Sequence, residues 1–279
     1  MAFMSTVDHF SHGPINPALA FGMAFLGSGL ALSCAARARA AGSRHRVRWL
    51  ALASMSLGGG IWLMHFTAML GFDIADTPVR YGGSLTAVSA VLAVAVVSMG
   101  LFVVGTGRQT LPKIMIGGAF TGIGVAAMHY TGMAAIRLDG ALTYDPSLVA
   151  ASVLVAVVAS MVALWLSTVV RGRAQVVVAG AVMALAVCAM HYTAMAAVGV
   201  HLDDRYTVVE GSTPISLELP ITLVAAVVIV VLALVALQTV SNEDDLLPVN
   251  LTGMRASPPA LLVEAARHPE QDRRGHFPG

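Results

Sequence analysis

Charge is the property this sequence has least of. Of its 279 residues only 11% are Asp, Glu, Lys or Arg, whereas a soluble domain carries about 25%. That is too few to cover a surface that faces water. Cysteine is almost absent as well: Cys34 and Cys188 both sit inside apolar runs, which excludes a disulfide framework. The first fifteen residues contain no Lys or Arg, so a cleavable signal peptide is not expected there. The sequence has no Gly-rich phosphate loop, no Cys-X-X-Cys pair and no Ser/His/Asp arrangement, so it offers no catalytic constellation. A net charge of +1 gives no reason to expect nucleic acid as a partner.

What the chain has in excess is apolar sequence. Hydrophobic residues make up 57% of it, gathered into runs of about 20 residues, the length that crosses a bilayer. The expected spans are about 17–36, 49–72, 84–104, 114–136, 147–170, 176–199 and 219–240. The fold class is therefore an all-α membrane protein with seven transmembrane helices, in contact with lipid over residues 16–240. Residues 1–15 form an extracytoplasmic N-terminal segment, and 241–279 a cytoplasmic, largely disordered tail. Orientation follows from the basic residues. The loops after spans one, three and five hold nine Lys/Arg, and those after spans two, four and six hold three. Positive loops stay inside, so the N-terminus lies outside and the C-terminus inside.

One phrase recurs three times, in spans two, four and six. It reads Met64-His65-Phe66-Thr67-Ala68-Met69, Met128-His129-Tyr130-Thr131-Gly132-Met133 and Met190-His191-Tyr192-Thr193-Ala194-Met195. With Ser84-Leu85 matching Ser147-Leu148, and Ser98-Met99 matching Ser160-Met161, the chain reads as three helical hairpins plus one helix. All three phrase-bearing spans run from inside to outside. Their histidines therefore fall at one depth, in the outer leaflet. Polar side chains at membrane depth are costly and turn toward the bundle interior, so the three imidazoles are expected to share a site. The glycines below them (Gly58 to Gly60, Gly118, Gly122, Gly124 and Gly180) are expected to draw spans two, four and six together.

Spacing narrows the chemistry. His65 with Met69, His129 with Met133 and His191 with Met195 are i, i+4 pairs on one helix face. Imidazole suits copper and thioether selects Cu(I), so a His/Met set points to copper; zinc remains open on histidine alone. Met64, Met128 and Met190 point about 100° away and either reach a neighbouring site or pack. Tyr130 and Tyr192 are candidates for orienting the ligands or for an outer aromatic belt. Cys188 is a soft potential ligand three residues before His191. His9, His12 and His201 lie on the same side as the histidine level and are candidates for a metal entry site. Thr67, Thr131 and Thr193 are expected to bond to carbonyls of their own helices.

The second and third phrases reproduce the Met-His-Tyr-Thr motif of the bacterial MHYT domain, and Met64-His65-Phe66-Thr67 resembles its Phe-containing first copy. The resemblance covers about residues 16–240. It implies an integral-membrane sensor of the bacterial cytoplasmic membrane, in which the Met, His and Tyr residues bind copper and so sense oxygen, CO or NO. Many members carry an output domain after the seventh helix, where this chain has 39 residues; output is then expected from a separate signalling partner on the cytoplasmic side, and a homo-oligomer is compatible with the sequence. Two other readings stay open. A haem-binding redox protein needs two histidines on opposite sides of a porphyrin. A metal or small-solute transporter needs polar groups continuing to the inner face, where the even spans are Gly, Ala, Val and Leu.

Overall fold

The computed structural model describes residues 3–4, 7–8, 13–74, 77–202, 211–213, 216, 221, 223, 225–227 and 230. In chain order the elements are β1 (Phe3–Met4), β2 (Val7–Asp8), α1 (Ile15–Ala40), α2 (Ser43–Met69), β3 (Asp73–Ile74), β4 (Arg80–Tyr81), α3 (Gly83–Gly105), α4 (Leu111–Met133), β5 (Ile136–Arg137), β6 (Gly140–Tyr144), α5 (Pro146–Val169), α6 (Arg173–Ala196) and β7 (Val198–Leu202). All six helices are long and apolar enough to cross a membrane. Single helical positions continue at 216 and between 221 and 230. The rest of the expected seventh span, and the whole tail, lie outside the described residues.

The helices are displaced from the apolar runs in a consistent direction. Helices α2, α4 and α6 begin three to six residues before the expected spans, taking in Arg44, Arg46, Arg48, Lys113 and Arg173. Basic side chains extend along a helix and hold their heads at the polar boundary, so a helix need not start where its apolar run starts. At the other end the same three helices stop as soon as the phrase is complete. Their C-caps are Leu70, Ala134 and Ala197. The phrase thus occupies the last turn and a half of each helix.

The six helices pack side by side in a closed ring, α1 against α2 and onward in sequence, with α6 returning to α1. Contacts among α2, α4 and α6 are sparse by comparison. The glycines explain why, and they correct the expectation placed on them. Gly58 and Gly124 receive α3 at Val94 and Val96, Gly60 and Gly180 receive α1 at Gly27 and Gly29, and Gly118 and Gly122 receive α5 at Met161 and Val157. Each phrase helix uses its small residues to seat the odd-numbered helices beside it. The even helices do not close on one another because imidazole and larger side chains fill the axis between them.

Short antiparallel ladders, which the apolar pattern did not predict, join the segments that follow the phrases. Strand β4 pairs with β5, β6 pairs with β7, β7 also pairs with β1, and β2 pairs with β3. A further bridge links Tyr81 to Ser212. At the α5 start, Asp145 accepts hydrogen bonds from the Ser147 hydroxyl (2.5 Å) and from the N–H groups of Ser147 (2.8 Å) and Leu148 (3.2 Å). These bonds hold its carboxyl below the usual range. At the opposite end of the bundle, the Arg39 guanidinium donates to the carbonyls of Ser167 and Val170, where α5 runs out of internal donors.

The close approach of α1 and α2 provides a test. A methyl group on Gly60 would stand 2.9 Å from the Gly27 Cα, whereas one on Gly59 would meet nothing within 4 Å. Gly60→Leu is expected to lower stability by about 1–3 kcal/mol or more. Gly59→Ala should change it by no more than about 0.5 kcal/mol. Thermal unfolding of the two purified variants in the same detergent checks the difference.

Candidate metal centre

His65, His129 and His191 arrive from three different helices, four, four and five residues before the helix ends. All three are buried, with exposures of 1%, 0% and 1%. Their ring centroids stand 4.8, 5.1 and 5.2 Å apart, every pair edge-on. The Nδ1 atoms face inward: His65 Nδ1 lies 3.2 Å from His191 Nδ1 and 3.2 Å from His129 Nδ1. Among the described residues this is the one place where three or more His, Cys, Asp or Glu bring ligand atoms together, all within 4.8 Å. The sequence expectation of a shared histidine site holds.

This arrangement is poorly satisfied by hydrogen bonds alone. An imidazole nitrogen carries either one proton or one lone pair, so His65 Nδ1 has one good hydrogen bond to share between two partners. The outward atoms fare no better, because the Nε2 atoms of His65 and His129 are buried with no hydrogen-bond partner. Each such group costs about 1–3 kcal/mol. A cation at the centre of the Nδ1 atoms would satisfy all three lone pairs. Three nitrogens held about 2.0–2.1 Å from one first-row ion stand roughly 3.3–3.6 Å apart, close to the 3.2 Å seen here. The donor set and its spacing fit a small metal ion. They do not fit a haem, since rings with centroids about 5 Å apart leave no space for a porphyrin between them.

The other candidates divide by position. Met69, Met133 and Met195 are buried one turn beyond the histidines, in the main hydrophobic core. Met64 packs instead with Ala20, Ala24, Ala68 and Ala184, between α1 and α6. Met128 is in the main core, and Met190 borders a cavity on the far side of the histidines. The Tyr130 hydroxyl pairs with Ser152 of α5 at 2.8 Å, and its ring stands edge-on to Tyr144. Tyr192 and Cys188 pack against the cluster that Met64 forms with Ala20, Ala24, Ala68 and Ala184; Cys188 is outside the histidine group. Thr131 and Thr193 bond to Ala127 and Ala189 of their own helices, as expected. His201 is exposed on β7, and His9 and His12 lie outside the described residues.

Two contributors went unread in the sequence. Tyr81 of β4 is buried and donates its hydroxyl to the Met69 carbonyl at 3.1 Å, closing the end of α2. Burial pushes its phenol pKa up, so the donor keeps its proton. The second is Gly132, the glycine of the middle phrase, where the others have Ala68 and Ala194. A Cβ at Gly132 would run into His65 Nε2. The signal was in the alignment of the three phrases: the one position that shrinks is the one a neighbouring ring leans on.

Comparison with known proteins fits this geometry. The sequence matches the MHYT family, described as a bacterial signalling protein N-terminal repeat, three times, over residues 58–117, 122–180 and 185–253. The chain belongs to the MHYT family. Each MHYT repeat begins inside a phrase-bearing helix, and the first two end inside the next one, so the repeat is counted from a different point than the hairpin, with the same three-fold number. The chain is 38% identical over 192 residues to the bifunctional diguanylate cyclase/cyclic di-GMP phosphodiesterase MucR of Pseudomonas aeruginosa, covering 67% of this chain and 28% of that one. It is 36% identical over 197 residues to the cyclic di-GMP phosphodiesterase NbdA of the same organism, covering 68% and 25%. To the Bacillus subtilis signaling protein YkoW it is 31% identical over 164 residues, covering 56% and 20%. The chain thus spans about a quarter of the length of these relatives. No solved structure matches it.

Gly132→Ala is expected to displace the His65 ring and to destabilise the fold by about 1–3 kcal/mol. The check is thermal unfolding together with the imidazole NMR signals. An unshifted His65 signal at unchanged stability would show that the ring does not depend on this glycine.

Proposed function

We propose that this chain is an integral-membrane sensor that holds copper through His65, His129 and His191, with Met69, Met133 and Met195 as further ligands. The observation that carries the reading is the convergence of three buried Nδ1 atoms at a spacing that suits one ion. Nitrogen with thioether donors favours copper over harder cations. Copper bound there would supply a one-electron redox centre able to react with a diatomic gas such as oxygen, CO or NO. The chain's own residues fix the imidazoles on three helix ends. They close those ends with Tyr81 and the β ladders, and they surround the rings with apolar side chains. Any change in the spacing of the imidazoles is then a change in the spacing of α2, α4 and α6.

The bias of basic residues supports a topology with the histidine level near the periplasmic face of the bacterial cytoplasmic membrane. On that topology 1–15 is extracytoplasmic, 16–240 is the membrane domain and 241–279 is the cytoplasmic tail. The family description and the name of the Bacillus subtilis relative support a role in signalling, and a cytoplasmic partner would carry the output. A transport role has less to support it, because the helix faces below the histidines carry Ile61, Val125, Val187 and Leu57, with Thr121 and Met183 the two positions there that hold an oxygen or sulfur atom.

The test is elemental analysis with an optical spectrum. Protein purified with its native metal is expected to contain copper, and His129→Ala to lose it. Wild-type protein free of copper, with metal content unchanged in His129→Ala, overturns the reading.

A further inference from the structure

The phrase helices are layered along their shared axis. Counting back four residues from His65, His129 and His191 gives Ile61, Val125 and Val187; counting back eight gives Leu57, Thr121 and Met183. Positions four apart stand above one another on one helix face, and all six of these residues line a single cavity. Met190 completes the wall next to the histidines, and Ala156, Ala159 and Ala163 of α5 close one side. The cavity has a volume of about 30 Å³. A water molecule needs about 10–15 Å³ by the same measure, together with two to four polar partners. Here the lining holds two hydroxyls, Thr121 and Ser160, and the Thr121 hydroxyl is directed at the Val96 carbonyl at 3.5 Å.

We infer that this cavity is a dry binding site for a small apolar gas, set directly beneath the imidazoles. Apolar cavities in proteins stay empty of water and take up xenon. Diatomic gases dissolve better in hydrocarbon than in water, and α5, whose alanines form the cavity wall, is the least covered of the six described helices, with 22% of its most apolar stretch buried against 78% for α2. On this inference gas dissolved in the bilayer enters past the small side chains of α5 and collects one helical turn below the imidazoles. The site stands on its own walls. Its use as an entry chamber rests on the metal-centre reading above.

Xenon tests the site without any metal. Crystals of the full chain under xenon pressure are expected to show one xenon atom among Ile61, Val125 and Val187, and Ala159→Phe, which fills the space, should lose it while metal content stays at the wild-type level. Ala163→Leu serves the same purpose should the larger side chain prevent folding. Wild-type crystals without xenon at this place overturn the inference, whatever metal the protein holds. Xenon bound in protein that contains no copper upholds the cavity and sinks the copper reading alone. In copper-loaded protein, a rate of CO binding that Ala159→Phe leaves unchanged overturns the role as an entry chamber.

Discussion

Three imidazoles meeting at one buried point is the constraint from which the rest of this structure follows. Histidine at membrane depth is expensive unless its polar atoms find partners, and here the nearest partners are the other two histidines. Each must therefore be delivered from a different helix, at the same level, with its ring turned to the axis. The three helices cannot close on one another, because the rings and the side chains of the neighbouring layers occupy the space between them. Lateral cohesion is left to the odd-numbered helices, and the glycines of α2, α4 and α6 are placed to receive those helices closely. The closed ring is the packing solution to a crowded axis.

The two ends of the bundle are then built differently. Where the phrases end, three helices stop with unsatisfied carbonyls, and the segments beyond them pair with one another. Strand β4 after α2 meets β5 after α4, and β6 after α4 meets β7 after α6. The backbone hydrogen bonds of these ladders tie the three histidine-bearing ends into one unit, and Tyr81 adds a side-chain bond to the α2 terminus. At the other end the links are made by single basic side chains: Arg39 to the end of α5, Arg46 to the Ala38 and Ala41 carbonyls, and Arg37 over the Trp49 ring.

Much of this was legible because a bilayer simplifies the code. Apolar runs of spanning length and a repeated phrase sufficed to place six helices and to bring His65, His129 and His191 together. The helix limits were less legible. An apolar run marks where lipid contact begins, whereas α2 starts at Ser43 with three arginines in its first turns. The ladders were hidden because strands of two to five residues carry too little alternation to read. The packing partners of the glycines were hidden for another reason: a small residue shows that something comes close and not what. Among the site candidates, spacing alone did not reveal that Tyr130 turns to Ser152, or that Cys188 packs against the cluster around Met64.

The three phrases differ from one another where the site itself cannot be symmetric. A three-fold repeat would prefer three equal environments, yet one nitrogen cannot relate equally to two neighbours through a single lone pair or proton. His65 Nδ1 faces both other rings, and its Nε2 is pressed toward α4 at Gly132. Its own copy has Phe66 where the others have tyrosine, and that ring is buried against Trp62 and Tyr81 and needs no partner for a hydroxyl. The copy it leans on has Gly132 in place of alanine. The glycine is thus an accommodation to the His65 ring, since a Cβ there would run into its Nε2.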